Sequence, residues 1–274
     1  MISDQAYPPS PAELIPDVIR LAEAASRRIL EIYNSEFTIE HKDDNSPLTA
    51  ADVASHDTIC RGLHDLTPAI PILSEESADI PFAEREKWRY FWLVDPLDGT
   101  REFIKRNGEF TINIALIEKH SPVLGIVHVP VTGTTYYASR GNGAFKQAVN
   151  KTPKKINTRP TNAGHLALAG SRSHGSDRQQ ALIKRLGDIE IHAIGSALKF
   201  CLVAEGIVDI YPRFGPTSEW DTAAAQCIVE EAGGMVTDTE FNPLRYNTGE
   251  SVLNPDFLVI ADKTFNWRPY LAGL

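Results

Sequence analysis

WLVDPLDGTREF, residues 92–103, is the stretch on which the reading of this chain turns. The run YFWLV (90–94) is aromatic and β-branched, reads as a strand, and delivers the chain to Asp95. Asp98 follows three residues later. Pro96 fixes its own φ and Gly99 permits close backbone approach, so both carboxylates can turn toward one point at the end of the strand. The carbonyl of Leu97 lies between them. Hard oxygen ligands of this kind suit Mg²⁺. Residues 99–103 read as a helical turn whose free N–H groups would face the same point, an anion site. DPLDG equally fits a plain acidic turn closing a strand, because Asp, Pro and Gly are turn residues. Two other acidic pieces weaken that second reading. LSEES (73–77) follows a strand and offers Glu75 and Glu76, and EWDTAAAQ (219–226) puts Asp221 at a helix start, where a carboxylate also serves as a cap.

Outward from this stretch, residues 11–33 carry apolar side chains at helical spacing, with Pro11 and Pro16 near the start, and 49–66 read as a second helix behind Thr49. AIPIL (69–73), TINIALIE (111–118), VLGIVHV (123–129) and TTYYAS (134–139) are further β-rich runs. Two helices followed by adjacent strands predict an α+β half, an antiparallel sheet with helices on one side. After Asn150 the pattern alternates and predicts an α/β half. Strands fall at LALAG (166–170), IEIHAI (189–194), VDIYP and FLVIA (257–261), with helices at 177–186, 196–205 and 220–232. The polar stretch KQAVNKTPKK (146–155) is the expected seam, giving halves 1–150 and 151–274.

The chain has 274 residues, 27 basic and 36 acidic, for a net charge of −9. That balance speaks against binding polymeric nucleic acid, which wants a basic face. It leaves room for a small anion, since divalent metals and a few placed cations invert the local field. No apolar run reaches the roughly 20 residues of a membrane helix. The acidic, proline-bearing N-terminus is not a signal peptide. Three cysteines without a CxxC pair read as reduced thiols, and the expected location is cytoplasmic.

ILSEES, WLVDPLDGTREF and WDTAAAQCIVEEAGG, in this order, resemble the inositol monophosphatase superfamily of lithium-sensitive, Mg²⁺-dependent phosphatases. The match runs from about Lys42 to about Asp238. KDDNSPLTAAD (42–52), FIKRNGEFTINIALIE (103–118), GSRSH (170–174) and GSALKFCLVAEGIVDIYPRFGPTSEWD (195–221) resemble its 3′(2′),5′-bisphosphate nucleotidase branch. The segment before Pro11 has no counterpart in it.

The resemblance implies a layered αβαβα sandwich and two or three Mg²⁺ ions per site. Glu75, Asp95 and the Leu97 carbonyl would hold one ion. Asp95, Asp98 and Asp221 would hold a second, and Glu75 would touch a third through water. Glu75 and Thr100 would activate the attacking water, with Asp52 accepting a hydrogen bond from Thr100. Leu97, Asp98, Gly99, Thr100 and Asp221 would contact the reacting phosphate. His174, Ser196, Lys199 and Arg213 would take the second phosphate and the base. From the residues alone, Lys199 also fits a solvated helix face, and Arg213 a pair with Glu219 or Asp209. Ser196 fits a helix N-cap, and His174 a surface loop.

The implied substrate is adenosine 3′,5′-bisphosphate, converted to AMP and phosphate in sulfur assimilation or nucleotide recycling. An inositol or other sugar phosphate is the alternative on the same scaffold, and a non-catalytic metal or nucleotide sensor the alternative of another class. A monomer or homodimer is expected. Peripheral attachment to the inner membrane face is described for that branch, yet no helix here looks strongly basic and amphipathic.

Overall fold

Apolar positions at helical spacing, a Ser10–Glu13 capping box and Pro11 at the first turn account for helix α1 (Pro11–Tyr33). The structure is a computed structural model and describes residues 10–36, 39–41, 47–170 and 176–273. A short antiparallel pair, β1 (Ile39–His41) and β2 (Pro47–Thr49), leads into α2 (Ala50–Leu66). Next come β3 (Ile72–Ser74), a 3₁₀ turn (Glu75–Ser77), α3 (Phe82–Arg85), β4 (Tyr90–Asp98) and α4 (Thr100–Ile104). Strands β5 (Thr111–Glu118), β6 (Ser121–Val129), β7 (Thr134–Ser139), β8 (Gly143–Gln147) and β9 (Lys154–Ile156) complete a seven-stranded sheet in the order β3-β4-β5-β6-β7-β8-β9.

A second sheet contains β10 (Leu166–Gly170), β11 (Ile189–Ala193), β12 (Ile210–Arg213), β13 (Met235–Asp238) and β14 (Phe257–Ile260), ordered β11-β10-β12-β14-β13. Its helices are α5 (Asp177–Leu186), α6 (Leu198–Ala204), α7 (Glu219–Glu231) and α8 (Arg268–Leu271). The polar stretch 146–155 ends β8 and carries most of β9, and both strands belong to the first sheet.

The predicted layered αβαβα arrangement is present, and the pattern of buried residues shows why. Along β4 and β5, Trp92, Val94, Ile112 and Ile114 pack with Leu14, Val18, Ile29 and Ile59 of α1 and α2. Their neighbours Phe91, Leu93, Ala115 and Ile117 pack on the other face, with Phe200 and Val203 of α6 and Ala223, Ala224 and Ile228 of α7. Both faces are covered, so these strands read as continuous apolar runs rather than alternating ones. Leu168, Ile210, Leu258 and Ile260 point to a third apolar layer containing Trp267, which α5 and α8 flank.

Two expectations need correction. The first sheet has helices on both faces, because α6 and α7 from the second half cover the side away from α1 and α2. It is also not wholly antiparallel: β3 runs parallel to β4. The intervening residues 75–89, with the 3₁₀ turn and α3, are long enough for the crossover that a parallel pair demands.

Helix α7 carries Asp221 and is pressed against β6 at Gly125. A Cβ there would overlap the Ala224 carbonyl and reach 3.0 Å from the Cβ of Cys227. Only backbone fits, so Gly125→Ala is expected to cost about 1–3 kcal/mol through overpacking. Chemical denaturation measures it, and a change under about 0.5 kcal/mol would contradict the close approach.

Further along the same strand, His128 is buried, with Nδ1 2.8 Å from Thr135 Oγ1 of β7, and burial pushes its imidazole down to about 4. The unfolded chain takes up that proton near pH 6.5, whereas the folded one refuses it until about pH 4. Stability is therefore full above pH 6.5 and falls as pH drops toward 4, by roughly 3 kcal/mol for this group. His128→Gln is expected to flatten this acid limb in urea titrations across that window. An unchanged limb would contradict the neutral buried imidazole.

Candidate active site

Strand β4 ends in the carboxylates. On a regular strand, residues three apart face opposite sides, so Asp95 and Asp98 would diverge. The pairing with β5 avoids this. Asp95 lies opposite Asn113 and Asp98 opposite Thr111, a register shift that inserts one residue on β4. The Leu97 N–H donates to Asp95 Oδ1 at 3.0 Å, and Ser55 of α2 donates to the Pro96 carbonyl at 2.7 Å, pinning the bulge. The sequence did not announce the bulge, and Ser55 has no signal beyond its place on α2.

Asp221 arrives from the far half. It sits in the first turn of α7, where its Oδ2 accepts from the Ser218 N–H at 2.8 Å. Capping and cluster membership are not alternatives here, since the same carboxylate does both. One oxygen from each of Asp95, Asp98 and Asp221 lies within 4.8 Å of the others. Asp95 is buried, while Asp98 and Asp221 open partly to a pocket.

Three such groups repel. Burial first, then the charges of Glu75, Asp98 and Asp221, lifts Asp95 well above the carboxylate range. Burial, then Asp98, lifts Asp221 to about 8. Burial lifts Asp98 as well, opposed by Lys199 and by the Ala197 N–H, which donates to Asp98 Oδ2 at 2.6 Å. Glu75, first residue of the 3₁₀ turn after β3, acts on Asp95 and Asp221 through its charge.

Gly99 follows in the left-handed region (φ 93°), a conformation that favours glycine, and starts α4. The Thr100 hydroxyl stands 3.4 Å from Asp52 Oδ1 and 3.5 Å from the Leu97 carbonyl, so it is shared loosely between α2 and the bulge. Asp52 is buried.

A pocket of about 200 Å³ opens beside the cluster. Asp98, Gly99, Ser196, Lys199, Arg213 and Asp221 line it, together with residues that sequence reasoning missed: Arg101, Glu102, Lys105, Tyr211 and Phe257. Lys199 is not on a solvated helix face. It is 8% exposed, donates to the Ser196 carbonyl at 2.7 Å and lies 5.4 Å from the Tyr211 ring. Burial lowers its pKa, and Asp98 opposes the shift.

Neither predicted alternative partner holds Arg213. Asp209 pairs with Arg159 (2.7 Å), and Glu219 accepts from the Asn247 N–H (2.9 Å). Arg213 donates to the Pro216 carbonyl, and its Nε is buried without a partner. Ser196 does not open a helix. Its φ is +49°, α6 begins two residues later, and the N-cap is Ala197. The Ser196 hydroxyl is likewise buried without a partner. His174 lies outside the described residues.

The model of the inositol monophosphatase family matches residues 11–266. The chain belongs to this family. It is 49% identical over 249 residues to the 3′(2′),5′-bisphosphate nucleotidase CysQ of Salmonella typhimurium, covering 90% of this chain and 99% of that one. The crystal structure of CysQ from Bacteroides thetaiotaomicron superposes with a TM-score of 0.78 at 40% identity, covering 91% and 97%. The inositol monophosphatase of Anabaena gives 0.70 at 26%, covering 91% of each chain. The family fold thus carries both kinds of named relative. Among the described residues no helix is long and apolar enough to cross a membrane.

The crowded carboxylates make a direct prediction. Replacing Asp221 with Asn removes one charge while keeping an oxygen for the Ser218 N–H. Asp221→Asn is therefore expected to melt a few degrees higher than the parent in EDTA and to gain less from added Mg²⁺, since ligand binding stabilises in proportion to affinity. Equal Mg²⁺-dependent rises in both proteins would remove Asp221 from the cation site.

Proposed function

We propose that the chain is a Mg²⁺-dependent phosphatase that removes the 3′-phosphate of adenosine 3′,5′-bisphosphate, giving AMP and phosphate. The observation carrying this reading is the pairing of two unlike features in one pocket. Asp98 and Asp221 of the carboxylate trio line the pocket together with Lys199, Arg213 and the partnerless Ser196 hydroxyl. The high identity to named bisphosphate nucleotidases supports the nucleotide over other phosphate esters.

The donor set fits the metal. Three converging carboxylates, raised in pKa by burial and, at Asp95 and Asp221, by neighbouring like charge, form an all-oxygen site that a hard divalent cation would relieve. Asp95, Glu75 and the Leu97 carbonyl would hold one Mg²⁺, and Asp95, Asp98 and Asp221 a second, with a third touching Glu75 through water. Bound there, the ions would neutralise the phosphate and acidify the attacking water.

The protein's own groups do the rest. Glu75 and the Thr100 hydroxyl orient the water and draw off its proton, while Asp52 holds Thr100 by accepting its hydrogen bond. The N–H groups of Gly99 and Thr100 meet the reacting phosphate beside Leu97, Asp98 and Asp221. Lys199 and Arg213 pair with the second phosphate, Ser196 donates to it, and His174 serves the base side. Positioning and charge complementarity carry most of such a phosphoryl transfer. The same reading places the protein in the cytoplasm, acting in nucleotide recycling during sulfur assimilation, with Li⁺ as an inhibitor.

Phosphate release decides between substrates. Adenosine 3′,5′-bisphosphate is expected to give a higher kcat/KM than inositol 1-phosphate. The reverse order would make the protein a sugar-phosphate phosphatase, and no release from any ester would make it a sensor. Lys199→Ala is expected to cost at least tenfold more on the bisphosphate than on 3′-AMP. Equal losses would contradict the second-phosphate role. Asp98→Asn is expected to lose at least 100-fold in kcat with the fold retained, a loss of about 2.7 kcal/mol in transition-state stabilisation.

A further inference from the structure

The turn carrying Ser196 is held by two acids from the opposite half of the molecule, and only one of them belongs to the carboxylate cluster. Asp98 accepts from the Ala197 N–H at 2.6 Å. On the other side of Ser196, Glu109 Oε2 accepts from the Gly195 N–H at 2.9 Å. Between these anchors Ser196 adopts φ +49°, a left-handed conformation that a serine does not choose without support. Its hydroxyl is left buried and partnerless at the pocket wall. Lys199 is tied to the same turn through the Ser196 carbonyl.

The fit around the turn is tight. A Cβ on Gly195 would come within 2.8 Å of both Glu102 Cγ and the Glu109 carbonyl oxygen. A Cβ on Gly99 would meet the Glu109 carbonyl and Ser196 Cβ at 3.3 Å each. The segment at Gly99, the Glu109 segment and the 195–197 turn are therefore in van der Waals register with one another. Glu109 is fixed in turn by the Asn107 side chain, which accepts from its N–H at 2.9 Å.

We infer that Glu109 is a positioning residue for substrate selection. Its carboxylate holds the 195–197 turn against the first half, and so sets the distance of the Ser196 hydroxyl and the Lys199 ammonium from Asp98. Glu109 is not among the residues that line the pocket. Its effect passes through Gly195. The consequence is discrimination: a ligand with phosphates at both ends needs these groups at a fixed separation, whereas one with a single phosphate at the carboxylate cluster does not. The inference rests on the nucleotidase reading for its choice of ligand, but not for the anchoring itself.

Three variants test it. Glu109→Ala removes the acceptor. Glu109→Asp keeps the charge but withdraws the oxygen by one methylene. Glu109→Gln keeps an oxygen at the right reach without the charge. Glu109→Ala and Glu109→Asp are expected to raise KM for adenosine 3′,5′-bisphosphate about tenfold, with kcat within threefold, and to change KM for 3′-AMP by less than threefold. Glu109→Gln is expected to stay within threefold of the parent on both. Hydrogen exchange at residues 195–199 is expected to quicken in the first two variants and not in the third.

Unchanged KM and exchange in Glu109→Ala would overturn the inference. So would a Gln variant as impaired as Ala, or equal losses on both substrates. Should Glu109→Ala fail to fold, the contrast between Asp and Gln decides. If the parent prefers inositol 1-phosphate, the nucleotidase reading falls, and the exchange contrast among the three variants alone then upholds or overturns the anchoring role.

Discussion

The burial of three converging carboxylates, Asp95, Asp98 and Asp221, is the constraint around which the rest of the molecule is organised. Burial raises the pKa of each of these groups, with like charge adding to it at Asp95 and Asp221, and no lysine or arginine among the described residues bridges Asp95 or Asp221. Ionised together, such carboxylates repel one another. The framework resists because the ligands come from structures that cannot easily separate. Asp95 and Asp98 lie on a strand buried on both faces, and Asp221 lies on a helix wedged between two sheets. The close contact of α7 with Gly125 and the pinning of the bulge by Ser55 serve the same end. A divalent cation held there would offset both the burial and the crowding of these charges.

The pocket follows from the same geometry. Asp221 and Asp98 approach from different halves, so the space beside them is walled by both. The 195–197 turn brings an N–H to Asp98 and leaves Ser196 and Lys199 facing the opening. Lys199 and Arg213 beside the carboxylates of Asp98 and Asp221 suit a substrate whose charges sit at two ends. Binding energy from the remote phosphate can then be used to place the reacting one, the general route by which enzymes turn distant contacts into rate.

Much of this was legible in the sequence, for identifiable reasons. TINIALIE and TTYYAS stand out as strands because burial demands apolar, β-branched or aromatic residues along their length, and the structure keeps both bounds. Helices α1 and α5 were equally plain, since their apolar positions recur at helical spacing. β8, β9 and β13 were missed. The first two lie toward a sheet edge in a polar, lysine-rich stretch, and β13 is four residues long behind two glycines. AIPIL was read as a strand over 69–73, whereas β3 occupies 72–74, because prolines at 68 and 71 delay pairing.

Within the site, DPLDG pointed to metal ligation, but the bulge that aligns Asp95 with Asp98 depends on the partner strand and leaves no local mark. Ser196 looked like a helix start because Ser is a favoured N-cap, while its left-handed φ depends on acids nearly a hundred residues away. Long-range anchors of this kind are invisible to any reading of local pattern. The most direct test of the central idea, that the trio is a cation site, is anomalous diffraction from crystals grown with Mn²⁺ in place of Mg²⁺. Anomalous peaks against the carboxylate oxygens of Asp95, Asp98 and Asp221 are expected. A cluster without a peak at saturating Mn²⁺, its carboxyls protonated and bonded to one another, would contradict it.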